Sequence, residues 1–346
     1  MVSSLNNLPW LAFMEKLLGD SVSGPKETEL PQLFRCQLDE QPDHLVAGRY
    51  LTSEAWAEFV NARLLVNPEC VFTRDGELPD LFSDTAWLFS NFDLTGTLVW
   101  VRDPGRGTVL PFWLGRELAD AFSRAKPGSV APELPAHWRS ALQMAGVLVS
   151  ENCATEARSR WEGEVSRSGT AFRQKKYAPV AGLIHPFHLA ALRRYYRGLI
   201  RTRKISLGDE QSPRRYAAHN EGVARFFHHQ LTSVVAVIAA EPVKPSYVYV
   251  ASYQSGAELE KHTDREQCEF SISLCLDYWP EPRNETPWPL QLQTEEGNVS
   301  IFQGIGDGLL YRGRSLPHWR GRLPHGHMST SIFFHYVPAE FSGSLD

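Results

Sequence analysis

The most constraining feature of the sequence is a His-x-Asp triplet followed by a distant histidine. His262 and Asp264 form the triplet, and His318 follows in the segment LPHWRG. Successive side chains of a β-strand point to opposite faces, so a histidine and an aspartate two residues apart face the same side. Two imidazoles and one carboxylate can occupy one face of an octahedral metal ion and leave three positions open. The pattern therefore predicts a metal site built on β-strands.

The surroundings of the triplet make this prediction more specific. A His-x-Asp triplet alone is weak evidence, because a chain of this composition is expected to contain about 0.5 such triplets by chance. Here the segment YQSGAELEKHTD follows the β-branched and aromatic run SYVYVAS. After it come short strand-like runs with turn signals between them: QCEFSISLCLDYW, PLQLQT, NVSIFQ, GDGLLYRG, LPHWRG and HMSTSIFFHYV. Their spacing leaves no room for a long helix and predicts closely spaced strands.

This ordered pattern resembles the Fe(II)/2-oxoglutarate-dependent dioxygenases, and within them the prolyl 4-hydroxylase-like group. The resemblance covers roughly residues 181–340. It implies a double-stranded β-helix, or jelly-roll, with helices packed on one side. It also implies that His262, Asp264 and His318 are iron ligands and that 2-oxoglutarate and O2 are cosubstrates.

One part of the sequence departs from that family. Its members usually carry an arginine or lysine about nine to eleven residues after the distal histidine, where the cation pairs with the far carboxylate of 2-oxoglutarate. Here the corresponding residues are His327 and Ser329, a weaker anchor than a bidentate arginine. Arg320 is the alternative anchor, because it lies two residues after His318 and faces the same pocket. Tyr253, at the end of a predicted strand, matches a tyrosine that often lines the cosubstrate site in the family.

Two regions precede the predicted jelly-roll domain of residues 183–346. Residues 1–150 are a mixed α/β region, in which residues 92–150 show a hairpin followed by two amphipathic helices. That order is similar to small winged-helix modules and to the peptide-recognition modules of enzymes that modify ribosomally made peptides; the alternative is a structural cap on the core. Residues 151–182 are charged and poor in large aliphatic side chains, which predicts a linker or a wrapping arm. The expected fold class is α+β.

Two helices are predicted at the start of the jelly-roll region. The first, FHLAALRRYYRGLIR, has Pro186 in its first turn, and the second runs from about Asn220 to Ile238. Because an open sheet face needs cover, both are expected to support the sheet from outside.

Composition and charge limit the class of partner and compartment. The chain has 346 residues and a formal net charge of −5, which disfavours a general nucleic-acid binder. Its five cysteines are widely spaced and include no C-x-x-C pair, which favours a reducing compartment over a disulfide framework or a zinc site. No apolar run approaches the ~20 residues that span a membrane, and the N-terminus lacks the features of a signal peptide. The expectation is a cytoplasmic protein without a nucleic-acid or membrane partner.

The residues and the resemblance together predict an Fe(II)- and 2-oxoglutarate-dependent dioxygenase. Such an enzyme would hydroxylate an unactivated C–H bond of a peptide, an amino acid or a small natural product, with release of succinate and CO2. The alternative is a non-catalytic, cupin-like binding or scaffold protein. The missing arginine or lysine at the usual anchor position favours the scaffold, whereas retention of all three ligand types favours the enzyme.

Overall fold

The computed structural model describes residues 32–38, 63–150, 153–209 and 212–346. The α-helices of this part of the chain are α1 (Arg116–Phe122), α2 (Ala136–Met144), α3 (Cys153–Lys175), α4 (Pro186–Arg201), α5 (Gly222–Gln230) and α6 (Thr232–Ala239). Its strands are β1 (Leu65–Val66), β2 (Val71–Arg74), β3 (Thr97–Arg102), β4 (Val109–Leu114), β5 (Leu148–Val149), β6 (Tyr177–Val180), β7 (Arg215–His219), β8 (Val243–Tyr253), β9 (Leu259–His262), β10 (Phe270–Trp279), β11 (Leu290–Thr294), β12 (Gly297–Ile301), β13 (Gly308–Tyr311), β14 (His318–Arg320) and β15 (Met328–Pro338). Two 3-10 segments occupy Asp80–Phe89 and Glu266–Cys268.

Two antiparallel sheets form the C-terminal half of the described chain. The larger sheet has six strands in the order β6-β13-β10-β15-β8-β7, and the smaller has four in the order β12-β11-β14-β9. From β8 onward, strands that are consecutive in the sequence belong to alternate sheets, except that β11 and β12 both belong to the smaller sheet. This alternation is the topology of a double-stranded β-helix, so the jelly-roll predicted from the sequence is confirmed, as is the mixed α+β class.

Strand β10 shows why the space between the sheets is polar. Its residues Phe270, Ile272 and Leu274 belong to the main hydrophobic core. The alternate residues Ser271 and Ser273 are fully buried on the other face, where their hydroxyls contact side chains carried by or beside the smaller sheet. A strand with one apolar face and one face of small hydroxyls buries its outer side under helices and leaves room inside for polar groups.

The helices cover the outer face of the larger sheet. The second predicted helix is interrupted in the structure, because α5 ends and α6 begins around Leu231. At this junction the Thr232 hydroxyl donates to the carbonyl oxygen of His228, a local bond that competes with the regular helical pattern. The N-cap of α5 is Glu221, whose carboxylate accepts from two backbone N–H groups. No helix in the described ranges is long and apolar enough to cross a membrane.

The N-terminal region contains the predicted hairpin followed by two helices. Strands β2, β3 and β4 form a three-stranded sheet, and residues 32–38 run beside β4. The hairpin turn between β3 and β4 is closed by Asp103, whose side chain accepts from the backbone N–H groups of Gly105 and Arg106. Helices α1 and α2 come next, and β5 returns to pair with β1.

Residues 151–182, for which the sequence predicts a linker or a wrapping arm, contain regular structure that belongs to the rest of the fold. Helix α3 fills most of the segment and packs on α6, and β6 is an edge strand of the larger sheet. The helix is charged because its packed stripe is narrow and consists of Trp161, Val165 and Phe172. A surface helix that packs through a narrow stripe needs few large aliphatic residues. The low aliphatic content of this segment is therefore compatible with a regular helix.

Two histidines lie where the N-terminal region meets α4, and of these His188 is fully buried and His185 partly buried. His185 places Nε2 at 2.8 Å from the carbonyl oxygen of Met144, and His188 places Nε2 at 2.8 Å from that of Pro111. The ring of His188 is surrounded by aromatic rings from three separate segments: Phe34, Phe112 and Phe227. Burial lowers the pKa of His185 to about 4 and that of His188 to about 3.

We expect these histidines to weaken the fold as the pH falls below 6.5. Their pKa values in the folded protein lie below the ordinary value, so the unfolded chain binds more protons in this range, and the free energy of unfolding falls by about 1.4 kcal/mol per pH unit for each histidine. Denaturant unfolding between pH 7 and pH 5 measures the slope. His188→Phe should reduce the slope of the unfolding free energy against pH by the contribution of one histidine. His325→Gln, at an exposed position, should leave this slope unchanged. Equal slopes in wild type and His188→Phe would contradict this account.

Candidate metal centre

The paired strands β9 and β14 bring three ligand atoms together. His262 ends β9 and lies opposite His318, which begins β14. Asp264 follows β9, and its Oδ1 lies 3.7 Å from Nε2 of His262 and 3.5 Å from Nε2 of His318. One ligand atom from each residue lies within 4.8 Å of the others. The structure thus brings the three predicted metal ligands to one position.

Backbone contacts orient both imidazole rings toward that position. Nδ1 of His262 lies 2.7 Å from the carbonyl oxygen of Glu260, and Nδ1 of His318 lies 2.9 Å from that of Leu316. A carbonyl oxygen only accepts, so each Nδ1 carries the proton and each Nε2 keeps a lone pair facing Asp264. Hydrogen bonding of the remote ring nitrogen is the usual way in which a protein orients a metal-binding histidine.

The electrostatics of Asp264 suit a cation at the same place. Burial raises the pKa of its carboxyl group, but hydrogen bonding to the charged form, which includes donation by the Ser271 hydroxyl to Oδ2 at 2.9 Å, outweighs burial and lowers the pKa to about 2. The group is therefore a carboxylate at neutral pH. One carboxylate oxygen and two imidazole lone pairs facing each other repel unless a cation lies between them, so this donor set fits a divalent metal ion.

Exposure differs between the two histidines. The His262 side chain is 39% exposed, whereas that of His318 is 3% exposed. The ligand atoms are therefore reached by solvent from the side of β9, and the wall formed by β14 is closed.

Arg320 is a buried cation without a carboxylate partner among the described residues. It lies two residues after His318 on β14 and is 3% exposed. Its Nη1 donates to the carbonyl oxygen of Trp288 (2.6 Å) and its Nη2 to Oε1 of Gln303 (3.1 Å). Its Nε has no hydrogen-bond partner. Burial lowers the pKa of this guanidinium group, and a buried charge of this kind is costly unless an anion pairs with it.

The other predicted cosubstrate residues lie on or beside strands of the larger sheet. Tyr253 is fully buried on β8; burial raises its pKa, and the charges of Arg215 and Arg320 oppose this effect. Ser329 is buried on β15 opposite both Tyr253 and Tyr278. His327 is partly exposed, and its Nδ1 lies 2.8 Å from the hydroxyl of Tyr278. Arg320 is buried inside the fold, whereas Nδ1 of the partly exposed His327 contacts a tyrosine hydroxyl.

No family model matches the sequence, and no curated protein matches it either. Among solved structures, the chain is similar to the non-haem α-ketoglutarate-dependent epimerase SnoN from nogalamycin biosynthesis, with 13% identity and a TM-score of 0.44 over 51% of this chain and 84% of SnoN. AviO1 from Streptomyces viridochromogenes Tue57 has 18% identity and a TM-score of 0.43 over 52% and 97% of the two chains. A prolyl-4-hydroxylase from Pseudomonas putida has 14% identity and a TM-score of 0.40 over 50% and 99%.

Gly313 is a site residue that the sequence did not reveal. Its carbonyl oxygen accepts from the backbone N–H of Asp264 at 3.0 Å. A Cβ atom at position 313 would overlap Oδ2 of Asp264 and would also come within 2.8 Å of the Ser271 hydroxyl. Only glycine allows the carboxylate this close to the backbone. The sequence contains no motif that marks it, because the contact joins two separate loops.

We expect Gly313→Ala to weaken metal binding at least tenfold, because the added methyl group displaces the Asp264 carboxylate. Titration of the protein with Co(II), followed by absorbance or calorimetry, measures the affinity. Gly321→Ala is the matched control, since a Cβ there meets nothing within 4 Å, and it should bind cobalt like the wild type. Equal cobalt affinity in both variants would show that Asp264 is not held as described.

Proposed function

We propose that the protein is an Fe(II)- and 2-oxoglutarate-dependent oxygenase that hydroxylates an unactivated C–H bond of a peptide, an amino acid or a small natural product. Succinate and CO2 are the products formed from 2-oxoglutarate. The observation that carries the proposal is the pairing of a His-Asp-His donor set with a buried, carboxylate-free arginine on the same strand face. The first suits a metal with open positions, and the second suits an anionic cosubstrate.

In this proposal His262, Asp264 and His318 hold the iron. Their Nε2 and Oδ1 atoms leave one half of an octahedral shell for other ligands. When bound, the iron with 2-oxoglutarate and O2 supplies the oxidising chemistry that cleaves the C–H bond. The closed wall at His318 keeps bulk water from that side, and the exposed edge at His262 is the side from which a substrate reaches the site.

Arg320 binds the far carboxylate of 2-oxoglutarate in this proposal. Residues on one face of a strand recur about every 7 Å, which places Arg320 beyond His318 at roughly the length of a five-carbon dicarboxylate. Gln303 is itself fixed, because its Nε2 donates to the carbonyl oxygens of Ser273 and Asp307. The guanidinium is thereby held in place before the anion arrives, which lowers the entropic cost of binding.

The second candidate function is a non-catalytic, cupin-like binding or scaffold protein. The arginine or lysine that the family usually carries at the anchor position is replaced by His327 and Ser329. This replacement favours a scaffold protein. Arg320 weakens this argument, because a buried guanidinium without a carboxylate costs stability and is explained by an anion that binds there.

Among the possible substrates we favour a peptide. The three-stranded sheet of the N-terminal region has β2 as an edge strand in the described chain, and an extended peptide can join such an edge through main-chain hydrogen bonds. Binding of short precursor peptides to the full-length protein, compared with a variant carrying Phe72→Pro on β2, tests this. Turnover of a free amino acid without any peptide binding would refute the preference.

We expect Fe(II) and 2-oxoglutarate, added together without oxygen, to give a weak visible charge-transfer band, and oxygen then to give succinate. His262→Ala, Asp264→Ala and His318→Ala should each abolish the band and the succinate, since each removes a metal ligand. Circular dichroism should show an intact fold in each variant. A variant with full activity would remove its residue from the ligand set, and a wild-type protein that binds no iron would favour the scaffold.

We expect Arg320→Gln to raise the 2-oxoglutarate KM by about ten- to a hundredfold, because a charge-assisted hydrogen bond contributes about 1.5–3 kcal/mol. The thermal stabilisation that 2-oxoglutarate gives the wild type should disappear in this variant. His327→Ala serves as the comparison and should change KM less. If His327→Ala raises KM while Arg320→Gln does not, the anchor is His327.

A further inference from the structure

Behind Asp264, away from the two histidines, lies a chain of hydrogen bonds that the proposed reaction does not use directly. The Ser271 hydroxyl is 2.9 Å from Oδ2 of Asp264, and Nδ1 of His335 is 2.9 Å from the same hydroxyl. Ser271 is fully buried and His335 is 6% exposed. Both residues lie on strands of the larger sheet, Ser271 on β10 and His335 on β15.

The direction of this chain follows from what each group can donate. A carboxylate only accepts, so the single hydroxyl proton of Ser271 points to Asp264. The hydroxyl oxygen then accepts from Nδ1–H of His335. That oxygen has no second proton to donate, so the Nδ1 atom that faces it must carry a hydrogen. His335 therefore donates to Ser271, and Ser271 donates to Asp264.

Both sides of Oδ2 are restrained. Ser271 donates to it from β10, and Gly313 packs against it so closely that no Cβ fits. His335 is held in turn, because its ring lies 4.6 Å from the ring of Tyr247, and its carbonyl oxygen accepts from Nε2 of His228 at 2.7 Å. The carboxylate can rotate only by breaking these contacts.

The alternative for this cluster is a second metal ion. Asp264, Cys268 and His335 offer three ligand atoms within 4.8 Å of one another. The Cys268 sulfur already has a partner, because the Tyr247 hydroxyl lies 3.1 Å from it. The Ser271 hydroxyl already joins Asp264 to His335, so hydrogen bonding accounts for their closeness.

We propose that Ser271 and His335 are positioning residues that hold Asp264 with Oδ1 toward the two histidines and keep Oδ2 away from the metal. A carboxylate that turned to bind through both oxygens would take one of the positions that the cosubstrates need. The inference rests on the proposed function, because it assumes a metal at this site. It attributes the open coordination positions of the centre to Ser271 and His335, which do not bind the metal themselves.

The test is Co(II) titration of the full-length protein without 2-oxoglutarate. We expect Ser271→Ala to weaken cobalt binding by about ten- to a hundredfold, and its cobalt-saturated absorption spectrum to differ from that of the wild type. Ser273→Ala is the matched control, since this equally buried serine lies on the same face of β10 and contacts Arg320 instead. It should bind cobalt like the wild type.

Variants of His335 give a second measurement. His335→Leu removes the donor and should weaken cobalt binding, whereas His335→Asn places an amide N–H near Nδ1 and should restore most of the affinity. Wild-type affinity in Ser271→Ala, or an equal loss in Ser273→Ala, would overturn the inference. Two cobalt ions per chain, with a thiolate band lost in Cys268→Ser, would also overturn it in favour of a second metal. No cobalt binding by the wild type would instead reject the proposed function.

Discussion

The antiparallel register of β9 and β14 is the constraint on which the rest of the site depends. It sets His318 opposite His262, and because side chains alternate along a strand, it also turns Arg320 to the same interior face. A slip of one residue would move all of these side chains to the other face. The register shifts between His318 and Arg320. The two strands are therefore paired directly at the histidines and are offset by one residue at Arg320.

The two faces of the larger sheet have different roles: the outer face contributes to stability, and the inner face holds the polar groups beside the candidate site. Its outer face carries the aliphatic and aromatic residues that pack on the helices and form the main core. Its inner face carries Ser271, Ser273 and His335, whose polar atoms contact each other, Asp264 or Arg320. Because burial of the outer face supplies the hydrophobic stabilisation, the inner face can hold charged groups that weaken the fold.

The sequence predicted the parts of the protein that depend on local order. The spacing of the segments after Tyr253 predicted closely spaced strands, the family resemblance implied the jelly-roll, and the side-chain alternation predicted that His262 and Asp264 share a face. Contacts between segments distant in the sequence were missed. Trp288 and Gln303 hold Arg320 from two separate loops, and no spacing rule connects them to it. Helix α3 was missed for another reason: a helix that buries a narrow stripe has the composition of a solvated linker.

Strand β6 has a consequence for how the polypeptide divides into units. It completes the larger sheet by pairing with β13, yet it precedes the jelly-roll boundary at residue 183 that the sequence predicts. A chain that began at that boundary would leave the backbone N–H and C=O groups of β13 unpaired along one edge. An open edge of this kind recruits strands from other molecules and leads to aggregation. A fragment that keeps β6 paired with β13 therefore starts at Tyr177 or earlier, so the outermost strand of the larger sheet comes from the segment that precedes the predicted boundary.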